Sequence, residues 1–318
     1  MNLGAAIPAT DGAARARGIA AVLVASALWG TTGTVAALAP GVAAATMGAA
    51  AMGVGGLLQA LRAAPDMARS APQLRRHAGI LPLAALAVAV YPLAFYSSMR
   101  AAGVIVGTAV SIGSAPLFSA LVEMVADGLR PGRRWLAGAL MGIAGITLLT
   151  AGGHGTAGAG TGHAALGVGL GLVAGLTYAL YSWIAGRAMR AGLPGGATMG
   201  TIFGGGGLLL MPVLLLTGGP LLASWGNAAA GLWMALGPMF LGYVCFGHGL
   251  ARIRASEATT LTLTEPVIAA LLAMAVLHER LSGPAWVGVA LVAGCMLCIA
   301  LPQRRLAAGN VRHPAPRP

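Results

Sequence analysis

Lysine is absent from this sequence, and charge of either sign is scarce. Nineteen arginines and seven acids make up 8% of 318 residues. A soluble domain carries about 25% charged residues. A chain this poor in charge cannot cover itself against water, although length alone would suggest one or two soluble domains. Cysteine is nearly missing too. Cys245, Cys295 and Cys298 all lie in apolar runs, which excludes a disulfide framework. Cys295 and Cys298 match C-x-x-C, but a redox pair needs a water-exposed helix start, so both read as small packing residues.

Other engines are lacking as well. No phosphate-binding G-x-x-x-x-G-K loop occurs, so ATP-driven pumping has no local machinery. His278-Glu279 lacks the second histidine of a zinc-protease helix. Gly153–Gly158 matches G-x-G-x-x-G without the strand and helix a dinucleotide site requires, and reads as a flexible linker. No metal site and no cofactor is expected. The net charge of +12 would suit nucleic acid, but the arginines are scattered over short loops rather than gathered on one face.

What is present is hydrophobic: 58% of residues, with mean hydropathy +0.83. A helix needs about 20 apolar residues to cross a bilayer. Ten such stretches are read, near 18–38, 43–63, 78–98, 103–125, 135–151, 164–186, 196–217, 228–250, 258–277 and 284–301. The first is longer than a signal-peptide core of about 7–15 residues and is read as uncleaved. Arginine placement sets orientation. With a cytoplasmic N-terminus, every arginine except Arg100 and Arg280 falls inside. Both termini are then cytoplasmic in a bacterial-type plasma (inner) membrane. The Pro-rich tail, 302–318, reads as disordered.

A shift of 150 residues superposes SAPLFSALVEMVADGLRPGRRWLAG (114–138) on TEPVIAALLAMAVLHERLSGPAWVG (264–288), pairing Pro116 with Pro266, Arg130 with Arg280 and Gly138 with Gly288. The expected fold is an all-α integral membrane protein of ten transmembrane helices in two inverted five-helix repeats. The repeats cover 18–151 and 164–301, after a cytoplasmic segment 1–17 and around a Gly-rich extracytoplasmic linker 152–163. An odd number of spans per half places the halves upside down relative to each other, as in many transporters.

Three motifs carry a family resemblance: WGTTGT (Trp29–Thr34), IGSAPLF (Ile112–Phe118) and the Glu-Pro stretch beginning at Thr264. The chain resembles the EamA-type drug/metabolite transporters over about 18–301. That resemblance implies a ten-helix exporter, or sometimes importer, of small polar metabolites, most commonly amino acids. The first half departs from the pattern: Ala115 stands opposite Glu265, and Leu129 opposite Glu279.

Five of the seven acids fall in loops or at span ends, and Glu123 lies near the cytoplasmic end of span four. Glu265 alone is deep. An ionised acid at mid-membrane costs several kcal/mol unless paired or hydrated. It is either a substrate-ammonium contact or protonation site, or a neutral side chain hydrogen-bonded to backbone freed by prolines. Pro116 and Pro266 each release a carbonyl four residues back, beside Ser111 and Ser114 in one half and Thr262 and Thr264 in the other. Pro92 and Pro238 add kinks, though simple helix bending is an equal reading. Trp29, Thr32, Tyr91, Tyr178, Tyr181 and Tyr243 are candidates to line an interior site, with packing as the alternative for each. His248 is a candidate proton partner of Glu265. Glycines at 138 and 142, and at 167, 171 and 175, read as close-packing surfaces, with a homodimer face as the alternative.

The expected partners are a small-molecule substrate and the lipid bilayer. The leading reading is a secondary transporter rather than an enzyme, because the polar groups do not cluster near one membrane face. The alternative is a membrane-embedded flippase of lipid-linked metabolites, or a membrane enzyme.

Overall fold

A computed structural model describes residues 12–39, 41–102, 104–152, 164–277 and 281–300. The linker after residue 152, the His278-Glu279-Arg280 turn and the tail lie outside the described residues. All regular structure among those described is helical. The helices are α1 (Gly12–Ala37), α2 (Ala44–Arg69), α3 (Ala71–Arg76), α4 (Leu81–Ala102), α5 (Val104–Asp127), α6 (Arg133–Gly152), α7 (Ala164–Arg190), α8 (Gly195–Thr217), α9 (Trp225–Met234), α10 (Tyr243–Leu250), α11 (Ala255–Leu261), α12 (Glu265–Leu277) and α13 (Gly283–Ala300). A π-helical stretch, Ala235–Gly242, joins α9 to α10, and a 3-10 turn, Thr262–Thr264, joins α11 to α12.

Seven helical units among the described residues are long and apolar enough to cross a membrane: α1, α4, α5, α7, α8, the α9–α10 unit and the α11–α12 unit. The count of ten is therefore not reached on length and hydropathy alone. Helix α2 is diluted by glycines and by Gln59, Arg62 and Asp66, and α6 opens on two arginines. Among the described residues the apolar run of α13 covers Gly283–Ile299.

The bundle is apolar outside. Leu216 is 87% exposed and Leu61 72%, and Leu86, Leu121, Leu140, Leu172 and Leu208 also project outward. A water-soluble monomer rarely shows so much contiguous apolar surface; a hydrocarbon solvent accepts it. Inside, the helices close on small residues. On α7, an added Cβ at Gly167 would lie 2.5 Å from the Ala102 nitrogen, and one at Gly175 2.9 Å from the Ser111 carbonyl. The 167–171–175 stripe is thus consumed in packing α7 onto α4 and α5. Gly138 and Gly142 likewise meet Cys298 and Cys295 on α13, so both cysteines pack helices, as their apolar setting implies.

Two helix pairs run antiparallel. Along α6, Gly138 faces Cys295 and Gly145 faces Gly288 of α13; along α2, Gly56 faces Phe203 and Ala63 faces Gly200 of α8. One end of the bundle collects polar contacts. Arg15 donates to the Ile299 carbonyl at 2.9 Å and reaches Glu257 at 3.5 Å. Asp127 accepts from Arg187 and, at 2.7 Å, from the Trp183 indole. The buried Glu123 carboxylate accepts from the Ser256 amide at 3.1 Å and its hydroxyl at 2.6 Å. This Arg-rich end joins the start of α1 and the ends of α5, α7 and α13 to the start of α11.

Candidate functional site

Only 5% of residues are aromatic, and there are five tyrosines. All five gather in one cluster of rings inside the bundle. Tyr91 lies with ring centroids 5.6 Å from Tyr178 and 6.3 Å from Tyr181, and reaches Tyr96 through Phe95. Tyr243 sits 4.8 Å from Trp29 and 4.2 Å from Phe203. These separations lie in or just below the range of favourable offset and edge contacts.

Local backbone irregularity places the rings. The Trp29 indole donates to the Pro238 carbonyl at 2.8 Å, and the Gln59 amide donates to the Met239 carbonyl at 3.3 Å. Both carbonyls belong to the π-helical stretch, where regular helix bonding is lost and side-chain donors replace it. Gly242 makes room for the indole, since a Cβ there would lie 2.8 Å from its ring nitrogen. Gly30 permits α1 to approach α12, where a Cβ would lie 2.8 Å from Ile268. This gives the glycine of the WGTTGT motif a physical purpose.

Trp29, Thr32, Tyr91, Pro92, Tyr178, Tyr243 and Glu265 line one cavity of about 50 Å³, together with Gly48, Met52, Phe95, Tyr96 and Met239. That is room for a few water molecules. Glu265 stands where α12 begins after the 3-10 turn. Among the described residues its carboxyl makes no hydrogen bond and no ion pair; it faces the cavity. Pro266, second in α12, explains the break: proline lacks the amide that would continue α11 and is tolerated in a first helical turn. Pro116, its counterpart, sits inside an unbroken α5, so the two prolines shape the backbone differently. Pro92 lies inside α4 and also lines the cavity.

The remaining candidates divide. Tyr181 is buried behind the cavity and shares a 3.0 Å hydrogen bond with Tyr243. Thr262 accepts from the Tyr178 hydroxyl at 3.1 Å and donates to the Thr259 carbonyl at 2.8 Å, which fixes the ring from behind. Thr264 is turned into its own helix, donating to the Leu261 carbonyl. Ser111 and Ser114 face α7: Ser114 donates weakly to the Ser111 carbonyl at 3.4 Å, while the Ser111 hydroxyl is buried with no partner among the described residues. The expectation for His248 is corrected. It is exposed and lines a different cavity, on the Arg-rich side, so it cannot relay protons with Glu265 in this arrangement.

That second cavity is larger, about 370 Å³, and is bounded by Gln59, Arg62, Gly195, Gly196, Met199, Val244, Gly247, His248, Ala251 and Arg252. The two cavities share a wall. Met239 and Tyr243 face the first, while Val244 and Gly247 face the second. Met52, Tyr96, Met239, Gln59 and Arg62 were not singled out from sequence. Methionine in an Ala-Gly run carries no positional signal. Among the described residues no three His, Cys, Asp or Glu side chains converge as a metal site would require.

A bundle with an apolar exterior and an interior acid facing a cavity is a multi-pass membrane protein of the transporter class. The chain belongs to the EamA-like transporter family. The family's sequence pattern matches residues 165–301. The "Uncharacterized transporter YwfM" of Bacillus subtilis (strain 168) is 31% identical over 292 residues, covering 92% of this chain and 96% of that protein. A solved crystal structure superposes with a TM-score of 0.73 over 91% of this chain and 96% of the other, at 20% identity, and so shares the fold.

Proposed function

We propose that this protein is a secondary transporter working by alternating access, which exports amino acids or similar small metabolites from the cytoplasm. In this reading α2, α6 and α13 join the seven apolar units to make ten spans. Two five-helix halves, 18–151 and 164–301, are inserted with opposite topology in the plasma membrane, and the Arg-rich end is cytoplasmic.

Packing supports the inverted halves. Under the 150-residue shift, Gly145 facing Gly288 maps onto Cys295 facing Gly138, and both contacts occur. Equivalent helices of opposite insertion must run antiparallel, as α2 with α8 and α6 with α13 do. The pairing of α4 and α5 with α7 is mirrored by the pairing of the α9–α10 and α11–α12 units with α1. An arrangement with two such related solutions can exchange which side is closed.

The observation that carries the proposal is the pair of cavities back to back on 239–247. The larger opens on the Arg-rich side, and the smaller holds the deep carboxyl. Their wall runs from the end of the π-helical stretch, held by side-chain donors, into α10, so it borders an irregular segment suited to rearrangement. A substrate too big for 50 Å³ enters the Glu265 cavity only when that wall and its rings shift. The aromatic and hydroxyl lining suits an amphipathic metabolite, and Glu265 suits its ammonium group.

The test compares medium and cytoplasm of cells carrying wild type, Glu265→Gln or empty vector. The expected result is a metabolite enriched outside by wild type alone, with both proteins at equal membrane abundance and melting temperature. Equal export by Glu265→Gln at every pH would remove the acid from the mechanism. No enrichment of any small metabolite outside would overturn the export reading.

A further inference from the structure

We infer that the larger cavity is a capture site for a small organic carboxylate, with Arg62 and Arg252 as its ligands. The inference rests on the transporter reading and narrows it, since a transported molecule would carry a carboxylate as well as any ammonium offered to Glu265.

Two guanidinium side chains and His248 line this cavity, and no carboxylate does. The nearest acid is Asp66, whose Oδ2 would lie 2.7 Å from a Cβ placed on Gly196. Asp66 is already engaged by Arg69 at 2.6 Å. Among the described residues neither Arg62 nor Arg252 forms an ion pair. Like charges facing one concavity concentrate field there and attract an anion. Arg252 is oriented: one of its nitrogens donates to the His248 carbonyl at 2.8 Å, which leaves its other N–H groups free to fork onto a carboxylate.

The cavity wall adds to this. Gly195 and Gly196 open α8, whose N-cap, Pro194, supplies no side-chain hydrogen bond. The first amides of a helix lack intrahelical partners and carry its positive dipole end. Gly195 lines the cavity with no side chain over its backbone, while the Asp66 carboxylate lies against Gly196. Gln59 also lines the cavity; one N–H of its amide goes to the Met239 carbonyl, and the second stays available to an anion. Met199, Val244, Gly247 and Ala251 supply an apolar floor. The volume, about 370 Å³, falls in the usual range of about 300–1,000 Å³ for small-molecule sites.

The test is equilibrium binding to the purified full-length protein in neutral detergent, read as thermal stabilisation, and it does not require transport. The probes are 3-phenylpropionate and its uncharged analogue 3-phenylpropanamide. The acid is expected to stabilise wild type and the amide is not. Arg62→Gln and Arg252→Gln are each expected to weaken the acid by about tenfold, the loss of a charge-assisted pair. Arg62→Lys is expected to recover part of that loss, and Arg76→Gln, at the same end but outside the cavity, to recover wild-type binding. Equal stabilisation by acid and amide, no stabilisation by either, or an equal loss in Arg76→Gln would overturn the assignment. So would stabilisation by inorganic phosphate or added phosphatidylglycerol, lost in the two Gln variants, with no response to the acid: the cavity would then hold a phosphate or lipid headgroup. A positive result here with a null metabolite comparison would leave the carboxylate site standing and the export reading refuted.

Discussion

Replacing either tyrosine of the Tyr181–Tyr243 pair with phenylalanine deletes one hydroxyl and strands the other, but the two losses are unequal. The hydroxyls lie 3.0 Å apart, and the residues are 1% and 3% exposed. Tyr243 lines the Glu265 cavity and Tyr181 does not. In Tyr181→Phe, the remaining Tyr243 hydroxyl can turn to cavity water, so the expected cost is about 0.5 kcal/mol. In Tyr243→Phe, the Tyr181 hydroxyl is left dry. An unsatisfied buried hydroxyl costs about 1–3 kcal/mol in water-soluble proteins, and measured side-chain hydrogen bonds within membranes reach at most about 1.7 kcal/mol. The expected cost is thus about 1–2 kcal/mol. The double variant removes both groups without leaving a stranded one. It should be no less stable than Tyr243→Phe alone, because the second substitution relieves the first. The assay is a double-mutant cycle on purified protein, read by thermal melting at fixed detergent and protein concentration. Strictly additive losses, or a larger loss for Tyr181→Phe, would refute the reasoning that the cavity hydrates one member of the pair.

Gly288→Ala puts a Cβ 2.5 Å from the Gly145 carbonyl oxygen and 2.7 Å from the Leu149 nitrogen; both are backbone and neither can step aside, so the expected loss is about 3 kcal/mol or more, seen as a large melting shift. Asp127→Asn weakens the contacts with Arg187 and Trp183, and is expected to lower stability by about 1–2 kcal/mol, with half-exposure of the arginine keeping the loss from being larger. Reporters that fluoresce only in the cytoplasm, fused to either terminus, are expected to be active at both; an inactive reporter at one end would overturn the ten-span proposal.

Much of the architecture could be read from the chain because a bilayer imposes one strong rule: each span must satisfy its own backbone and face lipid. Helix positions therefore followed from apolar runs, and most boundaries agree to within a few residues. The divergences have local causes. Helix α1 is already formed from Gly12, ahead of the apolar run at 18, because Ala13, Ala14 and Arg15 are good helix formers and Arg15 finds partners across the Arg-rich end. Near Arg100, α4 runs to Ala102 and α5 runs from Val104, with residue 103 outside the described residues.

By itself, then, the sequence pointed to a chain that lives in lipid, to arginines gathered in alternate loops, and to a Glu265-Pro266 break in an apolar helix. These are properties of composition, spacing and local backbone chemistry, and they are independent of which helix touches which. Tertiary structure alone decided the rest. It brought five tyrosines from α4, α7 and α10 to one point, turned Ser111 and Ser114 towards α7, and set His248 beside Arg62 and Arg252 rather than beside Glu265. Those outcomes depend on the rotation of each helix about its axis, which is set by glycine contacts and by side-chain bonds to irregular backbone between segments up to 209 residues apart. A helix that is apolar on every face carries no sequence record of that rotation.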